Sequence, residues 1–123
     1  MKYLIHTVRI LLGLGFLVFG LNAFLHFMKG EPPPGPAADF VNAMLHSGYF
    51  YVIAVFQILG GICLLSGRLA PLGLTLLGPI IVNILLFHIF LEPTGLPVAI
   101  VVCALALFLL WIYRYKFPAI FRP

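Results

Sequence analysis

Apolar residues fill four runs along the chain, at about residues 4–28, 49–65, 72–91 and 96–113, and polar residues collect between them. Each run has about the 17–25 residues that a helix needs to cross a bilayer. The runs therefore predict four transmembrane helices. The connections at 66–71, with Gly67 and Arg68, and at 92–97, with Pro93, Gly95 and Pro97, are tight. Short connections force successive helices to lie antiparallel. The expected fold is all-α: an integral membrane four-helix bundle of up-down-up-down order, forming a single transmembrane domain over residues 1–123. The first run exceeds the roughly 7–15 apolar residues of a cleavable signal, and no small-residue cleavage site follows it. It reads as a retained helix.

The longest polar stretch, 29–48, is the outer loop of this scheme. Pro32, Pro33 and Pro34 cannot be helical and favour an extended polyproline segment. Asp39 is then placed to cap a short helix over 40–45. Phe40, Val41, Met44 and Leu45 share one face of that helix, which is expected to roof the bundle. Gly13 and Gly20 are seven apart and share a face of the first helix, and Gly60 and Gly61 sit on the second. Small residues let membrane helices approach closely. Pro79 has no N–H to give the Thr75 carbonyl, so a kink is expected there.

Charge fixes the expected orientation. The chain is 63% hydrophobic and only 8% charged, far below the roughly one quarter charged of a soluble domain. With the amino terminus in the cytoplasm, Lys2, Arg9, Arg68, Arg114, Lys116 and Arg122 lie inside or near the inner face. Glu31, Asp39 and Glu92 lie outside, with Lys29 the one outside base. That is the positive-inside pattern, with both termini cytoplasmic. The net charge of +4 does not indicate a nucleic-acid binder, because the bases sit at helix ends and form no dense patch. The partner it implies is the lipid bilayer.

Polar residues within the apolar runs are the candidate chemistry, since intramembrane polar groups are costly and face the bundle interior. Measured from the outer surface at about 1.5 Å per residue, Asn22 lies about 9 Å deep, and Gln57 and Asn83 each about 12 Å. Three amides from three helices thus share one layer. Above them come His26 and His88, with Glu92 one turn beyond His88 on the same face, and His46 just before the second helix. The layer reads either as an outward-opening pocket for a carbonyl-bearing head group or as interhelical hydrogen bonds worth about 0.6 kcal/mol each. His88 with Glu92 is a candidate proton relay. His26, His46 and His88 are candidate metal ligands, although their spacing matches no ligand motif.

Cys63 and Cys103 lie about 21 Å and about 10 Å below the outer surface, too far apart in depth for a disulfide. They read as small apolar packers, and no CxxC suggests thiol chemistry. Arg9 is expected to snorkel to the inner interface, with a lipid phosphate as its functional alternative. Trp111, Tyr113 and Tyr115 beside Arg114 and Lys116 read as an inner aromatic belt.

The run from Arg9 to Asn22, RILLGLGFLVFGLN, resembles the first helix of DoxX-family membrane proteins. The stretch from Gly60 to Arg68, GGICLLSGR, followed by Pro71-Leu72-Gly73, is similar to that family's second helix and its turn. The stretch from Pro79 to His88, PIIVNILLFH, is similar to its third. The likeness covers almost the whole chain. It implies a four-helix bacterial inner-membrane protein and a loose link to quinone-coupled sulfur oxidation and membrane oxidoreductase complexes. Related branches act in membrane-protein assembly. Asn22, Gly60, Gly61, Arg68 and Asn83 are the matching positions, and no established role travels with them.

Three functions are therefore open. The leading one is an accessory subunit of a quinone-linked redox system, with Asn22, Gln57 and Asn83 lining a quinone site and His88 with Glu92 handling protons. The second is a non-catalytic assembly factor or scaffold for a protein partner, in which the same amides grip helices. The third is an outward-facing metal handler using His26, His46 and His88.

Overall fold

A computed structural model describes residues 1–25 and 34–118. Five helices follow in order: α1 (Lys2–Leu25), α2 (Pro36–Ser47), α3 (Tyr49–Ser66), α4 (Ala70–Phe90) and α5 (Leu96–Ile112). Single 3-10 turns at Pro93–Gly95 and Arg114–Lys116 complete the described structure, which contains no strand. α1, α3, α4 and the α5 segment are long and apolar enough to cross a membrane, the mark of a multi-pass membrane protein.

Proline sets where three of these helices begin. Pro36 opens α2, and Pro71 and Pro97 lie in the first turns of α4 and α5. There the missing N–H has no intrahelical partner to lose. The short helix expected at 40–45 is accordingly longer, and Asp39 is not its cap. Gly35 precedes the helix, and Asp39 lies inside the first turn, at the positive end of the helix dipole. Gly48, in the left-handed region at φ 83°, ends α2 by donating its N–H to the Leu45 carbonyl, and α3 starts at the next residue. α4 is helical from Ala70 to Phe90 with Pro79 inside it. Pro32, Pro33, His26, Lys29, Glu31 and Arg122 lie outside the described residues.

α1, α2 and α4 pack on α3, whereas α5 packs on α4 and α1, and the two adjacent glycines of α3 face different neighbours. A Cβ at Gly61 would stand 2.7 Å from the Gly13 carbonyl oxygen of α1, and one at Gly20 would stand 3.0 Å from the Ala54 carbonyl oxygen. On α3's other side, a Cβ at Gly73 of α4 would stand 2.8 Å from the Gly60 carbonyl oxygen. Backbone therefore meets backbone, and dispersion over these close faces replaces the hydrophobic drive that lipid does not supply. Val8, Leu12, Phe16, Leu64, Leu74, Leu77, Ile81 and Leu109 fill the core between α1, α3, α4 and α5.

Arg9 does not snorkel. It is only 8% exposed. Its Nη1 donates to the carbonyls of Leu64 at 2.6 Å and Leu65 at 2.9 Å, and its Nη2 lies 3.3 Å from His6 Nδ1. The physical reason lies at the end of α3. The last carbonyls of a helix have no intrahelical donor, and a cation there also meets the negative end of the dipole. Ser66 Oγ donates to the neighbouring Cys63 carbonyl at 2.7 Å, so three successive carbonyls are satisfied without water.

Tyr113 and Phe117 pack against the same core, which places the end of α5 beside the start of α1. Arg114 is held there between Trp111 and Tyr115, with its guanidinium carbon 4.0 Å and 4.3 Å from the two ring centroids. It donates to the Trp111 carbonyl at 2.7 Å and the Tyr115 hydroxyl at 2.9 Å. Cys63 and Cys103 are both free thiols.

Candidate functional site

At the other end of the bundle, α2 lies across α3 and α4 and closes a cleft between them. One part, of about 160 Å³, is walled by Phe40, Val41 and Met44 of α2, Phe50 and Ile53 of α3, and Ile80, Ile84 and Phe87 of α4. Three polar side chains break this apolar lining: Gln57 from α3, and Asn83 and His88 from α4. A wider space of about 480 Å³ adjoins it and is lined by Tyr49 and Pro79 as well as by Phe40, Met44, Ile53, Ile80 and Asn83.

Helical spacing explains the α4 wall. Ile80, Asn83, Ile84, Phe87 and His88 stand at i, i+3, i+4, i+7 and i+8, which is one face of one helix. Asn83 stands at the exposed edge of that face, and Gln57 is half-buried on α3. The roof is carried by the face that Phe40, Val41 and Met44 share. The Phe40 ring meets the Phe87 ring at 5.6 Å between centroids.

His88 is held from behind. Its Nδ1 lies 3.0 Å from the Glu92 backbone oxygen and 3.2 Å from Glu92 Oε2. A backbone oxygen can only accept, so Nδ1 carries the hydrogen and Nε2 is the nitrogen left for other partners. The Thr94 hydroxyl donates to the other Glu92 oxygen and fixes the carboxylate. Gly95 closes the arrangement, because a Cβ there would strike the imidazole ring at Cε1 and Nδ1. Gly95→Ala is thus expected to swing His88 off Glu92 while leaving the bundle folded. The imidazole ¹⁵N shifts report this: the variant loses the hydrogen-bonded Nδ1–H signature, and an unchanged spectrum would show that the ring never depended on Gly95.

Of the residues singled out by sequence, Gln57, Asn83 and His88 come together in the cleft, and Glu92 stands behind His88. Asn22 is half-buried on α1 and is not part of the lining. His46 is exposed on α2, and His26 lies outside the described residues. Among the described residues, no three His, Cys, Asp or Glu side chains gather as a metal site would require. The apolar half of the cleft, Phe50, Ile53, Ile84 and Phe87, went unnoticed in the sequence, where such residues are indistinguishable from lipid-facing ones.

No family model matches the chain, and no solved structure matches it. It is 34% identical, over 124 aligned positions, to the uncharacterized protein YwoB of Bacillus subtilis (strain 168). The alignment covers 94% of this chain and 80% of that protein. The chain belongs to the YwoB family. Membership in the YwoB family brings no activity with it, so the chemistry must be argued from the cleft.

Proposed function

We propose that the chain is a bacterial plasma-membrane protein whose cleft holds the ring of a lipid-soluble quinone, as an accessory subunit of a membrane redox system. The observation that carries this is the cleft itself: an apolar space of about 160 Å³ with two amides and an imidazole in its wall. A cavity of about 150 Å³ lined by apolar side chains takes one benzene ring. A quinone ring is of that size and adds two carbonyls. The Gln57 and Asn83 amides donate to carbonyls, and the adjoining space past Tyr49 and Pro79 gives an isoprenoid tail a way out to lipid. Reduction of a quinone to the quinol takes two electrons and two protons. Electrons come from a redox-active partner subunit, and His88, backed by Glu92, passes protons through Nε2. The DoxX-like first and third helices point the same way.

The proposed arrangement is up-down-up-down with both termini cytoplasmic. The pairing of Gly13 with Gly61 and of Gly20 with Ala54 supports antiparallel α1 and α3. Lys2, Arg9, Arg68, Arg114 and Lys116 belong to the end where α1 begins, whereas Asp39 and Glu92 belong to the α2 end. By the positive-inside rule the cleft then opens at the outer leaflet.

The test is binding of a short-chain benzoquinone to purified protein in vesicles. Asn83→Leu and Gln57→Leu should each weaken binding by about 3- to 10-fold, the share of one neutral hydrogen bond. A doubly substituted protein that binds as tightly as the parent would overturn the reading. A second reading, an assembly factor, is favoured by one observation: Asn83 is exposed on the flank of an apolar helix. An amide facing hydrocarbon is stabilised by a hydrogen-bonding partner helix. A stable protein partner that co-purifies without any small molecule, and that Asn83→Leu releases, would move the assignment there.

A further inference from the structure

We propose that α2 is a gate over the cleft, hinged at Gly48 and latched by the Phe40–Phe87 ring contact. The proposal rests on the reading of the cleft as a ligand site and assigns its regulation.

α2 is fastened differently from the other helices. α1, α3 and α4 meet backbone to backbone at Gly13, Gly61, Gly60 and Gly73. α2 contains no glycine, and its one buried residue is Ala37. Its reach to α4 is made by a side chain, with the Phe40 and Phe87 centroids 5.6 Å apart at an interplanar angle of 37°. An aromatic pair of this kind contributes about 0.5–1.5 kcal/mol beyond its area. That is small enough to open thermally.

Both ends of α2 are built to turn. Gly35 has φ 135° and Gly48 has φ 83°, and at neither does any atom stand within 4 Å of where a Cβ would sit. The Gly48 junction is held by local bonds, such as those from its own N–H to the Leu45 carbonyl and from the Tyr49 N–H to Ser47 Oγ, and glycine takes up other backbone angles there with little penalty. Gly48 is a one-residue joint, since α2 ends at Ser47 and α3 begins at Tyr49.

Opening also has an acceptable end state. Phe40, Val41, Met44 and Leu45 form one apolar face, while Asn42, His46 and Ser47 are exposed on α2. A helix of this pattern lies stably in a membrane interface. Swung outward, α2 exchanges the cleft for lipid, and its apolar face never meets bulk water. The two states therefore differ little in buried apolar area, which is the condition for a switch that a bound ligand can bias. When shut, α2 stands over the 160 Å³ that Gln57, Asn83 and His88 line.

The experiment is a distance measurement between spin labels in vesicles, with no ligand present. Cys63→Ala and Cys103→Ala remove the native thiols, and labels are attached at Asn42→Cys on α2 and Ile89→Cys on α4, both exposed positions. Two distances are expected, the shorter matching the closed structure. Phe40→Ala should raise the ratio of the longer to the shorter population by about 2- to 10-fold, the weight of one ring pair. A single distance, or two whose proportions ignore Phe40→Ala, would overturn the gate. Because no quinone enters the measurement, that result leaves the cleft reading standing. Loss of the cleft reading in the binding test would not alter the distances.

Discussion

Replacing Gly61 with leucine prevents α1 and α3 from packing, and the protein then fails to reach its folded state in detergent or vesicles. A methyl group alone already meets backbone in its three nearest contacts: the Gly13 oxygen at 2.7 Å, Leu17 N at 2.9 Å and Leu17 Cα at 3.2 Å. No rotamer change relieves such a clash, because none of the opposing atoms belongs to a side chain. The helices must separate, and the dispersion energy of a close interface falls steeply with separation. Gly61→Ala is expected to destabilise by about 1–3 kcal/mol, and leucine by more. Gly15 is the internal control, since nothing lies within 4 Å of a Cβ there. Gly15→Ala should stay within about 0.5 kcal/mol of the parent. Unfolding by a denaturing detergent, followed by circular dichroism, separates the two cases. Equal midpoints for Gly61→Ala and Gly15→Ala would refute the tight α1–α3 interface.

Arg9→Leu is the second large effect, expected at about 2–4 kcal/mol of lost stability. The substitution removes both bonds to the Leu64 and Leu65 carbonyls. Hydrogen bonds from a charged donor are worth about 1.5–3 kcal/mol each, and the orphaned carbonyls then lie at a helix end that water reaches poorly. The gain from no longer holding a guanidinium inside the bundle offsets part of this. Arg9→Lys keeps the charge but not the fork, so roughly half of the loss is expected. The same detergent titration, repeated in neutral and in anionic lipid, tests the cause. A residue that acted by reaching lipid phosphate would show a strong dependence on lipid charge, and Arg9 should show little.

The four spans were legible because hydrophobic length is a property of the chain itself. The shared face of Gly13 and Gly20 was legible too, since a seven-residue interval on a helix fixes a side, whereas the adjacent Gly60 and Gly61 gave no hint that they face α4 and α1 respectively. Depth was a coarser guide. It set Asn22, Gln57 and Asn83 at one level, but level says nothing of the direction in which a side chain points, and Asn22 stands apart from the cleft that the other two line. The extent of α2 was misjudged because Asp39 was read as the opening residue. Pro36, with its φ already helical, allows the helix to begin four residues earlier, with Gly35 in the cap position. The partners of Arg9 were the least legible feature. Seen alone, a charge near a helix end invites the interface, and its acceptors lie 55 and 56 residues further along. No local pattern announces a bond of that span.

The distance along the chain between Arg9 and Leu64 also has a consequence for how the protein is made. A ribosome adds about 5–20 residues per second, so the intervening 55 residues take roughly 3–11 s to appear. For most of that interval α1 is already synthesised and its arginine has no α3 to bind. α1 must therefore wait with Arg9 held at the water boundary, and it can settle to full depth only when the end of α3 arrives. Insertion of the first helix is in this sense provisional, and the third helix of the finished fold completes it.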